Sequence, residues 1–446
     1  MGDPSDPICS PRQVAGILPP STIPIDTPET QPYHPLAAAR ADPSGWFARS
    51  PEPEGPSVEC HNVEVSAVRA SWIEGTGKRT GRPMVMGMRG MVSSGHPLAS
   101  QVALRTLMEG GNVVDAAVAA SATLAVVRPH MTGIGGDLFC LIYLAREGKV
   151  IAINSSGPAP AAASIDFFHS KGMQQIPMMG PLAVETPGCV AGWELALDRF
   201  GTMPLSRLLQ PAIDYAEGGF PISPNLAEAI TDGARQFARF PQWMATFLPT
   251  GRPPRPGEVL KLPNLARTLR ILQEGGAEAF YRGRIGEAIV EAVQQQGGLL
   301  AREDLASCRA ELLEPLQIDY RGYTVYEQPP VSQGHLLLQE LAITEGFDLA
   351  TLGPQSIETI HLMVEAKKLA FADRLGYLGD PSFLQLPMSR LLSREYAAQR
   401  RKMIDLNRAI VAAAPGVTAV QGSDTTYHCV IDAEGGFPIS PNLAEA

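Results

Sequence analysis

The stretch Gly422-Ser-Asp-Thr-Thr-Tyr-His-Cys-Val-Ile431 decides the fold expected for this chain. Its polar first half leads directly into an alternating apolar stretch, which predicts a β-strand over residues 426–431. Taken alone, such a stretch is typical of the rim of a β-hairpin that carries two threonines. The alternative is a catalytic threonine, and this alternative needs a base, because a threonine hydroxyl is a weak nucleophile until its proton is accepted.

A cut in the chain immediately before Thr425 would supply that base without a histidine. The α-amino group that such a cut releases has a reference pKa of about 7.7–8.0, which suits proton transfer near neutral pH. The residues of this stretch therefore leave two interpretations open, a structural rim and an N-terminal nucleophile.

The other common catalytic signatures are missing from the sequence. Pro330-Val-Ser-Gln-Gly334 has no leading glycine and is not a nucleophile elbow. The eight histidines form no HExxH pair, so we predict neither a metal site nor a cofactor. The turn Thr132-Gly-Ile-Gly-Gly-Asp137 enters a predicted strand, whereas a dinucleotide loop leaves a strand and opens a helix. We expect its glycines to permit close backbone packing beside the site.

The composition is that of a globular enzyme. Of the 446 residues, 45% are hydrophobic and 18% are charged, with a formal net charge of −10. This charge and the lack of a Lys/Arg-rich run argue against a nucleic-acid partner. No apolar run is long enough to span a bilayer and no secretory signal is visible at the N-terminus, so we predict a cytoplasmic location. The six cysteines form no CxxC pair, and we predict reduced structural thiols.

The pattern along the chain predicts a mixture of helices and strands. Residues 1–80, rich in Pro, Ser, Glu and Gly, predict a disordered extension. Helices are predicted from Pro97 to about 108, over residues 113–127, through most of residues 190–310 and over residues 357–375. Strands are predicted over residues 84–88, 138–143, 150–153 and 426–431, with a strand pair around residues 318–326.

The last fourteen residues form an unusual repeat. Residues 433–446 repeat residues 216–229 letter for letter, Ala-Glu-Gly-Gly-Phe-Pro-Ile-Ser-Pro-Asn-Leu-Ala-Glu-Ala. Structural repeats recur at a fixed period with drifting sequence and several copies, whereas this is one perfect copy in a different context. We interpret it as an artefact of a sequence join, and we expect the chain to be truncated at that point.

Several further motifs, taken in order, resemble the γ-glutamyltranspeptidase family of N-terminal-nucleophile hydrolases. They are Arg89-Gly-Met-Val-Ser-Ser-Gly-His-Pro-Leu-Ala-Ser100, Gly110-Gly-Asn-Val-Val-Asp-Ala-Ala-Val118, Pro129-His-Met-Thr-Gly-Ile-Gly-Gly-Asp137, Pro249-Thr-Gly-Arg-Pro-Pro-Arg-Pro-Gly257, Ala279-Phe-Tyr-Arg-Gly283, Asp319-Tyr-Arg-Gly-Tyr-Thr-Val325, Leu369-Ala-Phe-Ala-Asp-Arg374 and Gly379-Asp-Pro381. The resemblance covers roughly residues 84–430.

The resemblance implies an α/β (α+β) fold, the four-layer αββα sandwich, and a proenzyme that cuts itself into a large and a small subunit. It implies that the bond between Asp424 and Thr425 is cut and that Thr425 is the catalytic nucleophile, with Thr426 as its structural neighbour. Residues 81–424 then correspond to the large subunit and residues 425–432 to the start of the small one. The implied substrate is a γ-glutamyl compound or a related small-molecule amide.

The chain departs from the family at the position that binds the acyl donor. The family has an Arg there, in an Arg-Glu-Thr-Ala-Pro run, whereas this chain has Ser156-Gly-Pro-Ala-Pro160. A serine cannot offer a carboxylate the charged, bidentate fork of an arginine. Ser156 is thus the expected substrate-binding position. Asn154-Ser-Ser-Gly157 resembles the transpeptidase-like hydrolase branch, which lacks the arginine and whose substrates include other amides.

A second departure leads to an alternative interpretation. In the family the small subunit supplies most donor-binding groups and the amides that stabilise the oxyanion, and here only residues 433–446 follow Asp432. Losing one oxyanion donor costs about 2.7–4 kcal/mol of transition-state stabilisation. The alternative is therefore that the 446-residue chain is a catalytically inert fragment or a non-enzymatic binding remnant.

Overall fold

The computed structural model describes residues 85–413 and 428–432. The strands in these residues are β1 (Gly90–Ser94), β2 (Leu138–Leu144), β3 (Lys149–Ser155), β4 (Phe220–Pro221), β5 (Val259–Leu260), β6 (Glu311–Leu313), β7 (Leu316–Tyr320), β8 (Tyr323–Glu327) and β9 (His428–Asp432). They pair as β1-β9, β2-β3-β6, β4-β5 and β7-β8, and every pairing is antiparallel.

The helices occupy most of the remaining described chain. They are α1 (Pro97–Met108), α2 (Val113–Val127), α3 (Ile165–Ser170), α4 (Cys189–Phe200), α5 (Leu205–Leu208), α6 (Gln210–Gly218), α7 (Pro224–Gln236), α8 (Pro241–Phe247), α9 (Pro263–Tyr281, kinked at Gly276), α10 (Arg284–Gln295), α11 (Arg302–Ser307), α12 (His335–Thr344), α13 (Leu349–Leu352), α14 (Ile357–Tyr377), α15 (Met388–Leu391) and α16 (Arg394–Arg401). Within residues 85–413 and 428–432, no helix has the length and apolar character needed to cross a bilayer.

The pair β1-β9 packs against α1 and α2 through small side chains. Ala99 and Ala103 of α1 and Ala116 and Ala120 of α2 are fully buried and form a cluster with Leu124. Val92 of β1 and Val430 of β9 pack on the same cluster. Because alanines let two helices approach closely, they form a tight support behind the strand that begins at residue 428.

The amino end of α2 is fixed by a buried carboxylate. Asn112 caps this helix, and the Asp115 side chain accepts a hydrogen bond from the Asn112 N–H at 2.8 Å. Asp115, fully buried, also accepts from the N–H groups of Thr202 at 2.9 Å and Met203 at 3.0 Å. The carboxylate thus satisfies donors at a helix end and ties α2 to the loop after α4.

The sheet β2-β3-β6 lies against α2 and α4. Ile142 of β2, Ile153 of β3, Val114 of α2 and Ala196 of α4 form one buried cluster. A second, larger core lies among α2, α4, α6, α7 and α9, and the fully buried Trp193 belongs to it. This packing places the carboxyl end of β3 beside the amino end of α4.

The segment from β7 to residue 413 has a core of its own. Ala342 and Ile343 of α12, Ala366 and Leu369 of α14 and Ala397 of α16 form this core. Ile318 of β7 packs against it, so the hairpin β7-β8 is covered by helices on one side.

Most predicted elements are confirmed. The helices predicted at Pro97 and at residues 113–127 are α1 and α2, the two paired central strands are β2 and β3, and the strand pair around residues 318–326 is β7-β8. Residues 190–310 are mainly helical, as predicted.

The first strand was predicted too early in the chain. It was predicted over residues 84–88, but β1 is Gly90–Ser94. Val85, Met86 and Met88 are exposed, and the strand begins only where β9 provides a partner. The last strand is found as β9, His428–Asp432. The predictions for residues 1–80 and 433–446 lie outside the described residues.

Candidate active site

The predicted nucleophile lies just before β9. Asp424, Thr425 and Thr426 are outside the described residues, and their roles stay predictions. Ser94, the last residue of β1, is paired with His428, the first residue of β9.

The end of β1 is a connected polar turn. The Ser94 hydroxyl donates to the carbonyl of His96 at 2.9 Å and lies 2.7 Å from the Ser100 hydroxyl. His96 Nδ1 accepts a hydrogen bond from the Leu98 N–H at 3.2 Å and caps α1. Arg128 Nη1 donates to the Gly95 carbonyl at 2.6 Å. These contacts hold in one conformation the segment that faces the start of β9.

The histidine in this turn is held neutral. Burial, and to a lesser degree the charge of Arg128, lower the pKa of His96. Because Nδ1 accepts from a backbone N–H, the proton of the neutral ring is on Nε2. His96 is thus a structural cap and not a base prepared for a threonine.

Ser156, the expected substrate-binding residue, follows the last residue of β3. Its N–H donates to Asn154 Oδ1 at 3.1 Å, and its hydroxyl donates to Asp137 Oδ2 at 3.1 Å. The Ser156 hydroxyl therefore already donates its hydrogen bond to a carboxylate of the protein, that of Asp137. Sequence reasoning found Ser156 but missed Asp137, because the contact joins two strand ends that are nineteen residues apart.

A second carboxyl, Glu185, completes this group and was also missed. Although Glu185 as a residue is exposed, burial of its carboxyl, together with a hydrogen bond to Asp137 and the charge of Asp137, raises the pKa of Glu185 to about 8. Asp137 Oδ1 is shielded from solvent and has no hydrogen-bond donor. Burial therefore favours the neutral form of the Glu185 carboxyl.

The backbone around these groups is tightly packed. The Gly136 carbonyl accepts from the N–H groups of Gly188 at 3.0 Å and Cys189 at 2.8 Å, at the amino end of α4. A Cβ atom on Gly157 would lie 1.7 Å from the Thr186 carbonyl oxygen, and one on Gly188 would lie 1.9 Å from the Ser155 carbonyl oxygen. Only glycine allows backbones to approach this closely.

Gly136 of the Thr132–Asp137 turn does pack against another backbone segment, but the prediction that a side chain on these glycines would block the approach is wrong. A Cβ atom on Gly135 would meet nothing within 4 Å, and those on Gly133 and Gly136 would make only ordinary contacts at 4.0 and 3.5 Å. The tight positions are Gly157 and Gly188, which lie in separate segments. A cluster of glycines in the sequence does not reveal which glycine meets another backbone.

The cysteines near this group are structural, as predicted. Among the cysteines in the described residues, Cys140, Cys189 and Cys308 are free. Burial raises the pKa of Cys189 to about 12, so its thiol stays protonated and is not a nucleophile. Cys308 Sγ donates to the Pro187 carbonyl at 3.5 Å. Cys9 and Cys60 lie outside the described residues. In the part of the chain that the structure describes, no group of three or more His, Cys, Asp or Glu side chains could hold a metal ion.

Comparison with known proteins gives a consistent result. The sequence profile of the family described as gamma-glutamyltranspeptidase matches residues 99–437. The chain is 40% identical over 361 residues to the acylase ACY 1 proenzyme of Pseudomonas sp. (strain SE83), which covers 78% of this chain and 64% of that protein. It is 39% identical over 359 residues to the glutathione hydrolase proenzyme of Escherichia coli (strain K12), which covers 79% of this chain and 62% of that protein.

A solved structure agrees with these sequence relatives. The gamma-glutamyltranspeptidase of Helicobacter pylori aligns with a TM-score of 0.70 at 35% identity, over 74% of this chain and 95% of that chain. This likeness confirms the mixed α/β fold that was expected from the resemblance. The chain spans 64% and 62% of the length of the two curated relatives.

Proposed function

Because the chain belongs to the gamma-glutamyltranspeptidase family, we propose that it is a self-processing threonine amidohydrolase. Thr425 is the catalytic nucleophile, and the bond between Asp424 and Thr425 is the one that the protein cuts in itself. The pairing of β9 with β1 is the observation that supports this proposal, because the strand predicted after Thr425 is present as β9 and joined to β1.

The self-cleavage needs no group outside the chain except water. The Thr425 hydroxyl attacks the carbonyl carbon of Asp424 while its proton passes to the nitrogen of Thr425, so an ester replaces the peptide bond. Water then hydrolyses the ester. The products are a carboxylate at Asp424 and a free α-amino group at Thr425, which has a pKa suited to a base near neutral pH.

The mature nucleophile then acts on an amide substrate. The α-amino group accepts the proton of the Thr425 hydroxyl, the oxygen attacks the acyl carbon, and the amine leaves with that proton. Water, or an amine acceptor, takes the acyl group from the ester and restores the hydroxyl.

The acyl donor is a γ-glutamyl compound or another small amide. One relative is an acylase and another is a glutathione hydrolase, so amides with different acyl groups occur among the relatives. Ser156 carries no positive charge, and its hydroxyl donates a hydrogen bond to Asp137. Both features support assignment of the chain to the transpeptidase-like hydrolase branch.

The proposal includes a division into two subunits. Residues 81–424 form the large-subunit-like region, and the small-subunit-like region starts at Thr425. Strand β9 would then pair with β1 across the two subunits, and the cut chain stays together through that ladder and the cluster behind it. A cytoplasmic location stays a prediction from the sequence.

Acylation of the full-length protein tests the proposal. After incubation with a short-chain acyl p-nitroanilide, the mass of the fragment that begins at Thr425 should rise by the mass of the acyl group, and Thr425→Ala should abolish the adduct. An adduct on another residue, or turnover that persists undiminished in Thr425→Ala, would contradict the assignment of the nucleophile.

A further inference from the structure

The amino end of α12 is buried and has no cap. Gly334 stands at the cap position and offers no side chain, and the first turn contains no acidic residue. The Leu336 N–H donates to the Gln333 carbonyl at 2.9 Å, but in the described part of the chain the N–H groups of His335 and Leu337 have no acceptor. His335 and Leu336 are only 0% and 7% exposed. A buried helix end of this kind needs an acceptor from another source.

The ring of His335 adds unpartnered polar atoms at the same end. Within residues 85–413 and 428–432, neither of its nitrogens has a hydrogen-bond partner. One nitrogen of a neutral ring carries a proton and acts as a donor. Leaving a buried donor without an acceptor costs about 1–3 kcal/mol, so the ring and the helix end have the same need.

Gln328 lies beside this helix end. A Cβ atom on Gly334 would lie 2.5 Å from the Gln328 carbonyl oxygen, so the backbone at Gln328 packs against the residue before His335. Gln328 is 6% exposed, and neither atom of its amide group has a partner among the described residues. Its amide can offer two N–H groups.

The Arg374 guanidinium brings a positive charge to this group. Arg374 lies close enough for its charge to contribute to lowering the pKa of His335. Its Nε is shielded from solvent and has no acceptor in the described residues. None of the ion pairs in that part of the chain includes Arg374. Its charge therefore adds to the partial positive charge of the helix end.

The nearest acidic groups do not neutralise this charge. The Asp373 carboxylate already accepts hydrogen bonds from three side chains, those of Gln339, Tyr396 and Arg400. The Glu327 carboxyl accepts from the Gln328 N–H at 3.3 Å, and burial raises the pKa of Glu327, which favours its neutral form. The helix end and Arg374 thus form a positive, donor-rich group without an anion.

From this arrangement we propose that the amino end of α12 is a binding site for a small monovalent anion taken up from solution. Its donors are the backbone N–H groups of His335 and Leu337 and the side chains of Gln328, His335 and Arg374. One guanidinium and about half an elementary charge from the helix match a single negative charge. Backbone N–H groups at a helix end and a guanidinium are common ligands of such anions. The anion joins the segment after β8 to α12 and α14.

Thermal unfolding of the full-length protein at pH 7 tests the site, with sodium formate as the probe. The ionic strength is held constant with a bulky sulfonate anion, which is too large for a buried site. Formate binds only the folded chain, so the unfolding midpoint should rise and saturate. At ten times the dissociation constant the rise should be about 3 °C.

Two variants and a matched control locate the effect. Arg374→Gln removes the charge and should abolish the rise. Gln328→Leu removes an amide of similar size and should raise the formate concentration that gives half the effect by about threefold or more. Arg235→Gln removes an exposed arginine from the last turn of α7, and it should keep the full rise. If Arg374→Gln does not fold, Gln328→Leu decides.

Three outcomes would overturn this inference. The first is a wild type whose midpoint shows no saturable response to formate, and the second is an equal response in Arg374→Gln. The third is an Arg374→Gln protein that is destabilised equally with and without formate while the wild type does not respond, which would assign the role to a carboxylate of the chain itself. None of these measurements depends on catalysis, so the proposed function stands or falls separately.

Discussion

Ser94 at the end of β1 lies directly opposite His428 at the start of β9. The ladder continues through Val92 and Val430, which pack on the alanine cluster between α1 and α2. A strand that is fixed by pairing and by packing has a fixed register, because a slip of one residue would turn Val430 away from that cluster. Ser94 and the polar turn around His96 therefore lie beside the first residue of β9.

The tight packing at Gly157 should be essential to the fold around Ser156. In Gly157→Ala the new methyl group would overlap the Thr186 carbonyl oxygen, 1.7 Å away, and relief requires a backbone shift. We expect the free energy of unfolding to fall by about 3 kcal/mol. Urea unfolding of the full-length protein measures it.

Gly135→Ala provides the matched control, because a Cβ atom at Gly135 meets nothing within 4 Å. Its free energy of unfolding should change by no more than about 0.5 kcal/mol. Equal effects of the two substitutions would show that the approach of Gly157 to Thr186 is not a constraint on this fold.

The buried ion pair between α14 and α16 should stabilise the segment from β7 to residue 413. Arg400 Nη2 donates to Asp373 Oδ1 at 2.7 Å and to the Leu369 carbonyl at 2.8 Å, and the side chains of Arg400 and Asp373 are 9% and 0% exposed. Arg400→Gln leaves a buried carboxylate without its cation, so the free energy of unfolding should fall by about 3–5 kcal/mol.

The control for Arg400→Gln is Arg105→Gln, which breaks an ion pair with Glu109 at the surface. Exposed ion pairs contribute little, and we expect no measurable change in the urea midpoint. A loss of stability in Arg105→Gln as large as that in Arg400→Gln would contradict the role given to burial.

His335 should make the stability of the protein depend on pH. The side chain is fully buried, and neither ring nitrogen has a hydrogen-bond partner. Burial, and next the charge of Arg374, lower the pKa of His335 from 6.5 to about 4. Between pH 6.5 and about 4, the histidine is protonated in the unfolded chain but neutral in the folded chain. The contribution of His335 to the free energy of unfolding is therefore fully present above pH 6.5 and is lost as the pH falls toward 4.

The size of this effect follows from the same shift. One pKa unit corresponds to about 1.4 kcal/mol, so lowering the pH through this window should cost about 3 kcal/mol. Thermal unfolding of His335→Leu should show a flatter pH dependence between pH 7 and 4 than the wild type. His169→Leu, at an exposed position, should keep the wild-type slope. An unchanged slope in His335→Leu would show that another group is responsible.

Local patterns predicted much of the fold. The Ala-rich run at residues 113–127 and the apolar runs at residues 138–143 and 150–153 predicted α2, β2 and β3, because their periodicity matches one element each. The strand predicted at residues 84–88 was misplaced because the alternating apolar pattern there does not show which residues pair. The position of β1 is set by its pairing with residues 428–432. Long-range pairing of this kind leaves no local signal.

The candidate site was predicted only in part for the same reason. Ser156 was found because it stands where the family's Arg-Glu-Thr-Ala-Pro run has an arginine, and that substitution is visible in the sequence. Asp137 and Glu185 were missed because nothing in their local sequence shows that their segments meet near Ser156. The backbone contacts of Gly136, Gly157 and Gly188 bring those segments together. The glycine-rich turn drew attention to Gly133 and Gly135, where a side chain would fit.

The cut before Thr425 tests the central claim most directly, by intact-mass spectrometry of the purified full-length protein. Wild type should give two fragments, one ending at Asp424 and one beginning at Thr425 with a free α-amino group. Thr425→Ala should give one uncut chain, while Thr426→Ala should still be cut. A wild-type protein that stays uncut, or a Thr425→Ala protein that is cut at the same bond, would contradict the assignment.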